Sequence, residues 1–162
     1  MPTIMPSIWY SREAEEAANF YASIFPNSRV ERVSTLPVES PSGPAGTVKI
    51  VEFTLLGQPF EAFSAGPLDQ FNHSISLSVR CDTQEEIDRY WDALLEGGTP
   101  EQCGWLKDRY GLSWQIVPKV LATLLTDPDP EKAKRAGEAM LRSVKFDIAE
   151  LERAAAGEAR VS

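Results

Sequence analysis

The segment Cys103–Pro118, CGWLKDRYGLSWQIVP, decides how this chain folds. Two runs, Cys103–Lys107 and Leu112–Val117, flank Asp108-Arg109-Tyr110-Gly111, a pattern that predicts two strands joined by a turn. The second run carries one amide, Gln115, among apolar neighbours. Such a side chain costs free energy unless it finds hydrogen-bond partners. Alternation puts Ser113, Gln115 and Val117 on one face and turns Trp114 and Ile116 toward the helices. Lys107 and Asp108 are expected to form a surface ion pair at the hairpin.

Upstream, Ser74–Arg80 alternates cleanly, with Ile75, Leu77 and Val79 on one face and Ser74, Ser76, Ser78 and Arg80 on the other. Thr83 and Glu86 are spaced as a capping box for a helix that buries Ile87, Tyr90, Trp91, Leu94 and Leu95. Gly97-Gly98 ends it. The first half follows the same order. Ile4–Tyr10 reads as a strand, and Ser11 as the cap of a helix whose apolar face is Ala14, Ala17, Ala18, Tyr21, Ile24 and Phe25. Strands are expected at Arg29–Leu36, Thr47–Leu56 and Phe60–Ala65, with a loop over Pro37–Gly46 and a tight turn at Gly57-Gln58-Pro59. A shift of about 70 positions lays Glu15-Glu16 on Glu85-Glu86 and Phe20-Tyr21 on Tyr90-Trp91, the mark of an internal repeat. Two modules follow, about 1–66 and 72–118, and then a helical extension over 119–156. In that extension Asp129 caps a helix with Pro130 at its first position, and Ala133, Ala136, Met140 and Leu141 form its apolar stripe.

The bulk numbers exclude several classes. With 16 Lys and Arg against 24 Asp and Glu, the net charge is -8, which argues against nucleic-acid binding. No apolar run reaches the roughly 18–20 residues that span a bilayer, and no signal peptide is visible. Membrane association is not expected. Cys81 and Cys103 form no CxxC pair, so a reduced, cytoplasmic setting is the default. Cys103 reads as a small buried residue; the alternative is a nucleophile activated by Lys107 and Arg109.

Four segments together resemble a known family: AEEAANFYASIFPNS (Ala14–Ser28), TQEEIDRYWDALLEGG (Thr83–Gly98), QCGWLKDRYGLSWQIVP (Gln102–Pro118) and DPDPEKAKRAGEAML (Asp127–Leu141). They are similar to the PhnB-like branch of the vicinal oxygen chelate superfamily, often labelled 3-demethylubiquinone-9 3-methyltransferase domains. Glyoxalase I and the extradiol dioxygenases belong to the same superfamily. The resemblance implies an α+β fold of two βαβββ modules, a curled mixed sheet around a pocket, and a homodimer.

In the metal-dependent members, as the resemblance implies, four ligands, typically His and Glu, come from the first, fourth, fifth and eighth strands. The matching positions here fall near Pro6, near Ala62, at Ser74 and at Gln115. Pro and Ala cannot coordinate through side chains, and Ser and neutral Gln are poor donors for a divalent ion. No metal and no other cofactor is therefore expected. His73, the single histidine, lies one residue before Ser74. It reads as a loop residue at the strand entry. A one-residue slip would make it a ligand, aided by Glu52 or Glu61, in a metal-dependent enzyme. Glu61 is expected to face away from the cup, and Glu52 to reach it.

The expected lining of the cup is Trp9, Glu52, Ser74, Ser76, Trp105, Ser113 and Gln115, with Tyr10 and Phe53 nearby. Apolar walls with a few polar anchors suit a small organic ligand. No catalytic residue is assigned, because no activated nucleophile or partnered base is evident. A further alternative is an interaction module whose cup is filled by its own side chains. The methyltransferase label finds no support in a glycine-rich loop between strand and helix, so S-adenosylmethionine is not expected.

Overall fold

The computed structural model describes residues 1–158. Its chain forms two compact units, Met1–Gln70 and Phe71 onward.

The first unit runs β1 (Ser7–Tyr10), α1 (Ala14–Ile24), β2 (Arg29–Thr35), β3 (Lys49–Leu55) and β4 (Gln58–Ser64). Its sheet order is β1-β4-β3-β2, with β1 parallel to β4 and the other pairs antiparallel. One face buries Ile8, Tyr10, Val51, Phe53, Leu55, Phe60 and Ala62 with Ala14, Ala17, Ala18 and Tyr21 of α1. Three alanines on one helical face bring α1 close to the sheet, and the Tyr10 and Tyr21 hydroxyls meet at 2.9 Å inside. The helix begins without Ser11 as its cap: Ser64 Oγ accepts from the Ala14 amide at 3.0 Å instead. The β3–β4 turn lies at Leu56 and Gly57, whose φ values of 50° and 80° match the left-handed pair of a tight hairpin.

The second unit repeats the topology with β5 (Leu77–Cys81), α2 (Gln84–Leu95), β6 (Thr99–Pro100), β7 (Trp105–Lys107) and β8 (Ser113–Pro118), in the order β5-β8-β7-β6. Again the first strand is parallel to the last. The fold is thus α+β, two βαβββ modules, each with its own four-stranded mixed sheet. Val79, Cys81, Leu106, Trp114 and Ile116 form the buried face together with Ile87, Tyr90, Trp91 and Leu94. Thr83 Oγ1 accepts from the Glu86 amide at 3.2 Å, while the Glu86 carboxylate takes the Asp82 amide at 2.8 Å.

Three expectations about the second module change. The strand expected from Ser74 begins at Leu77, because Asn72 Oδ1 accepts from the Ser74 amide at 2.8 Å and folds that stretch into a turn. Ile75 is consequently 74% exposed. The strand expected from Cys103 begins at Trp105, since Cys103 and Gly104 have φ of 58° and 78°. Asp108 is not at the surface: it is only 3% exposed. Its Oδ1 accepts from the amides of Tyr110 at 2.8 Å and Leu112 at 3.1 Å, and its Oδ2 from the Trp114 indole at 2.9 Å. The carboxylate supplies the acceptors that the hairpin leaves unprovided.

After β8 come α3 (Val120–Leu125), α4 (Pro130–Arg142) and α5 (Ile148–Ala156). Asp129 and Asp147 cap α4 and α5 through the amides of Glu131 and Glu150, both at 3.0 Å. The buried stripe of α4 uses Ala136 and Ala139, and Leu141 is 65% exposed. Leu121, Ala139, Phe146 and Leu151 make one apolar cluster. The amides of Cys103 and Gly104 donate to the carbonyls of Ser143 and Val144, each at 2.8 Å. Gln84 of α2 donates to the Phe146 carbonyl at 3.0 Å and accepts from the Ile148 amide at 2.8 Å. Lys145 donates to Asp88 at 2.7 Å and, with Gln84, holds that carboxyl below its ordinary range. Among the described residues no helix is long and apolar enough to cross a membrane.

Candidate functional site

The face of the second sheet opposite α2 is polar and partly open. Cross-strand partners share a face, so Ser78 with Gln115, Arg80 with Val117, and Trp105 with Gln115 all point the same way. Gln115 donates from Nε2 to Ser76 Oγ at 2.9 Å. A groove of about 200 Å³ runs over this face, lined by Ser78, Arg80, Gln115 and Val117 on the sheet and by Leu121, Ala122 and Leu125 on α3.

The other expected lining residues of this unit are placed differently. Ser113 shares the Gln115 face but is fully buried, and its hydroxyl has no hydrogen-bond partner among the described residues. Ser74 sits in the turn before β5 rather than on the strand. Trp105 is half-buried, and its ring centre lies 6.0 Å from that of His73. His73 meets Glu101 at 2.8 Å, between Nε2 and Oε2, and the other Glu101 oxygen is buried without a partner among the described residues. The carboxylate beside His73 is therefore Glu101, from the stretch before β7. A separation of 28 residues with no shared periodicity left no signal for that pair in the sequence.

In the first unit, Trp9 is 37% exposed and donates its indole N–H to the Gly66 carbonyl at 2.9 Å. Glu52 pairs with Arg32 at 2.5 Å. Glu52 and Glu61 are direct cross-strand partners, so Glu61 does not face away from Glu52; both leave the same side of the sheet. Glu61 accepts a hydrogen bond from Ser7. Tyr10 and Phe53 belong to the core on the α1 side, at 3% and 1% exposure.

Cys81 is buried, and its thiol is pushed up to about 12, first by desolvation and then by the Glu86 and Asp82 carboxylates. Cys103 is partly exposed. A disulfide reagent at pH 8 is expected to modify Cys103 at least about ten-fold faster than Cys81, since the thiolate is the reacting form. Thiol counting on Cys81→Ala and Cys103→Ala variants checks this. Because the Cys81 value is raised on folding, this group stabilises the fold fully below about pH 8.5. That contribution is lost as pH climbs toward about 12, so Cys81→Ala should flatten the alkaline decline.

A family model described as 3-demethylubiquinone-9 3-methyltransferase matches residues 2–117. Among solved structures, a putative 3-demethylubiquinone-9 3-methyltransferase, PhnB protein, from Bacillus cereus is 34% identical, covering 72% of this chain and 99% of its own, with a TM-score of 0.62. Protein PA1353 from Pseudomonas aeruginosa is 20% identical over 73% of this chain and 98% of its own, with a TM-score of 0.56. The fosfomycin resistance protein FosX from Listeria monocytogenes, complexed with Mn(II) and sulfate, shares the fold at 14% identity and a TM-score of 0.52, over 71% of this chain and 89% of its own. No match is found among curated proteins.

The residues present do not fit a divalent ion like that of FosX. Ala62 is fully buried on the α1 side, and its neighbour Glu61 points to the opposite face. Pro6 offers no donor, Ser74 sits in the turn before β5, and Gln115 offers a neutral amide whose N–H is already given to Ser76. Among the described residues no three His, Cys, Asp or Glu side chains come close enough to share a metal ion. A methyl-donor nucleotide does not fit either: β1 passes into α1 through Ser11-Arg12-Glu13, with no glycine to bring backbone amides close to a ligand. Sequence match, identity to the Bacillus protein and repeated βαβββ topology agree, and the chain belongs to the PhnB-like, 3-demethylubiquinone-9 3-methyltransferase family of the vicinal oxygen chelate fold.

Proposed function

We propose that this protein binds a small organic molecule on the open face of its second module, with Gln115 as the polar anchor and no metal ion in the site. The observation that carries this reading is the Gln115–Ser76 hydrogen bond beside a groove of about 200 Å³. Spending the amide N–H on Ser76 fixes the side chain and leaves its carbonyl oxygen for a ligand donor. The walls contributed by Val117, Leu121 and Leu125 supply apolar area, the usual division of labour in small-molecule sites.

A thermal-shift screen of small metabolites tests the proposal. A ligand at a hundred times its dissociation constant stabilises by about 2.7 kcal/mol. Gln115→Leu, which keeps the size and removes the hydrogen bonds, should weaken the best hit about ten-fold, or about 1.4 kcal/mol, while leaving the unliganded melting temperature within about 2 °C. Unchanged affinity in that variant would remove Gln115 from the site.

A further inference from the structure

We infer that the ligand of this groove is an organic anion, held by Arg80 with its aliphatic part against α3; the inference rests on the Gln115 site proposed above. Arg80 is the cross-strand partner of Val117, so its side chain leaves β5 on the groove side. Among the described residues the Arg80 side chain enters no ion pair and no hydrogen bond. The other cation on the rim, Lys119, is taken by Asp82 at 2.8 Å. Arg29, Arg32, Arg109 and Arg153 each pair with a carboxylate, and the Arg80 guanidinium does not. No Asp or Glu lines the groove, so nothing in its wall competes for that charge or repels an anion.

A planar guanidinium matches carboxylate and phosphonate oxygens through paired N–H donors. Beside Arg80 stand the Ser78 hydroxyl and the Gln115 amide; across from them stand Leu121, Ala122 and Leu125. One charged end and one apolar side call for an amphipathic ligand. The volume of about 200 Å³ is below the roughly 300–1,000 Å³ of sites for drug-sized ligands, so the ligand is short. The wall formed by α3 lies beyond residues 2–117, the part that matches the family model. Ligand choice in this protein thus depends on a segment the family match does not contain.

The test uses the full chain and four probes of equal length: hexanoate, hexylphosphonate, 1-hexanol and hexylamine. Titrations are followed through the side-chain N–H signals of Arg80 and Gln115. Hexanoate or hexylphosphonate should bind at least about ten-fold more tightly than hexanol, and hexylamine more weakly than hexanol; the ratio of the two anions names the head group. Arg80→Gln should bring the anions down to the affinity of hexanol and leave hexanol unchanged. Gln115→Leu should weaken the anions and hexanol together. Equal binding of all four probes, with Gln115→Leu still weakening them, overturns the anion inference and spares the Gln115 site. Binding insensitive to Gln115→Leu sinks the site itself. Silence of both reporter side chains with every probe overturns the inference as well.

Discussion

Asp108→Ala should cost about 3–5 kcal/mol of stability, a large part of the roughly 5–15 kcal/mol a domain of this kind holds. The carboxylate is buried and accepts from the amides of Tyr110 and Leu112 and from the indole of Trp114. Hydrogen bonds to a charged acceptor contribute about 1.5–3 kcal/mol each, and they do not add in full when one side chain makes them all. Truncation also strands the Trp114 indole N–H in a side chain that is 2% exposed. Asp108→Asn should cost roughly half as much, because its amide oxygen still accepts from one side of the cluster. Urea unfolding with an unchanged slope would read this directly. A loss below about 1 kcal/mol for Asp108→Ala would mean that the hairpin satisfies these donors in another way.

The second large effect is expected at Gly104, where the extension meets the sheet. A Cβ there would stand 2.4 Å from the Phe146 ring and 2.9 Å from the Ile116 carbonyl oxygen, at a backbone φ of +78°. The left-handed conformation alone costs an alanine about 1–2 kcal/mol. Overpacking against a buried ring adds about 1–3 kcal/mol. Gly104→Ala should therefore lose about 3–4 kcal/mol. Phe146→Ala, which empties the centre of the Leu121–Ala139–Leu151 cluster, should lose about 3–5 kcal/mol. The two are coupled. With the ring gone, the alanine at 104 should cost only the backbone share of about 1–2 kcal/mol, so the double variant falls well short of the sum. Hydrogen exchange supplies a second readout: the Cys103 and Gly104 amides, bonded to Ser143 and Val144, should lose protection in Gly104→Ala. Full additivity in the cycle would contradict the contact.

Much of this architecture is legible in the residue pattern, because burial leaves a period. Ala14, Ala17, Ala18 and Tyr21 recur at helical spacing, as do Ile87, Tyr90, Trp91 and Leu94, and both sets are buried. Trp114 and Ile116 alternate with Gln115, which fixes the face on which the amide stands. Local polar competition carries no period. The Asn72 side chain that closes a turn on Ser74 shortens β5, and a serine on β4 replaces Ser11 as the partner of the α1 amides. Asp108 looks like any charged turn residue until Trp114 is folded back onto it. On β4 the face shared with Glu52 belongs to Glu61 and not to Ala62, and on a strand one position exchanges the two faces. The His73–Glu101 contact and the α3 wall of the groove join distant residues and have no signature in composition or spacing.

On this reading the second module offers the Gln115 amide, hydroxyls and the Arg80 guanidinium to an organic ligand, with no metal ion between them. A crystal structure of the protein with the tightest hit of the metabolite screen tests it most directly. Ligand polar atoms are expected within hydrogen-bond distance of Gln115 and Arg80, with the aliphatic part against Leu121 and Leu125. A ligand seated elsewhere, or a metal ion bridging it to Ser76 and Gln115, would contradict the account.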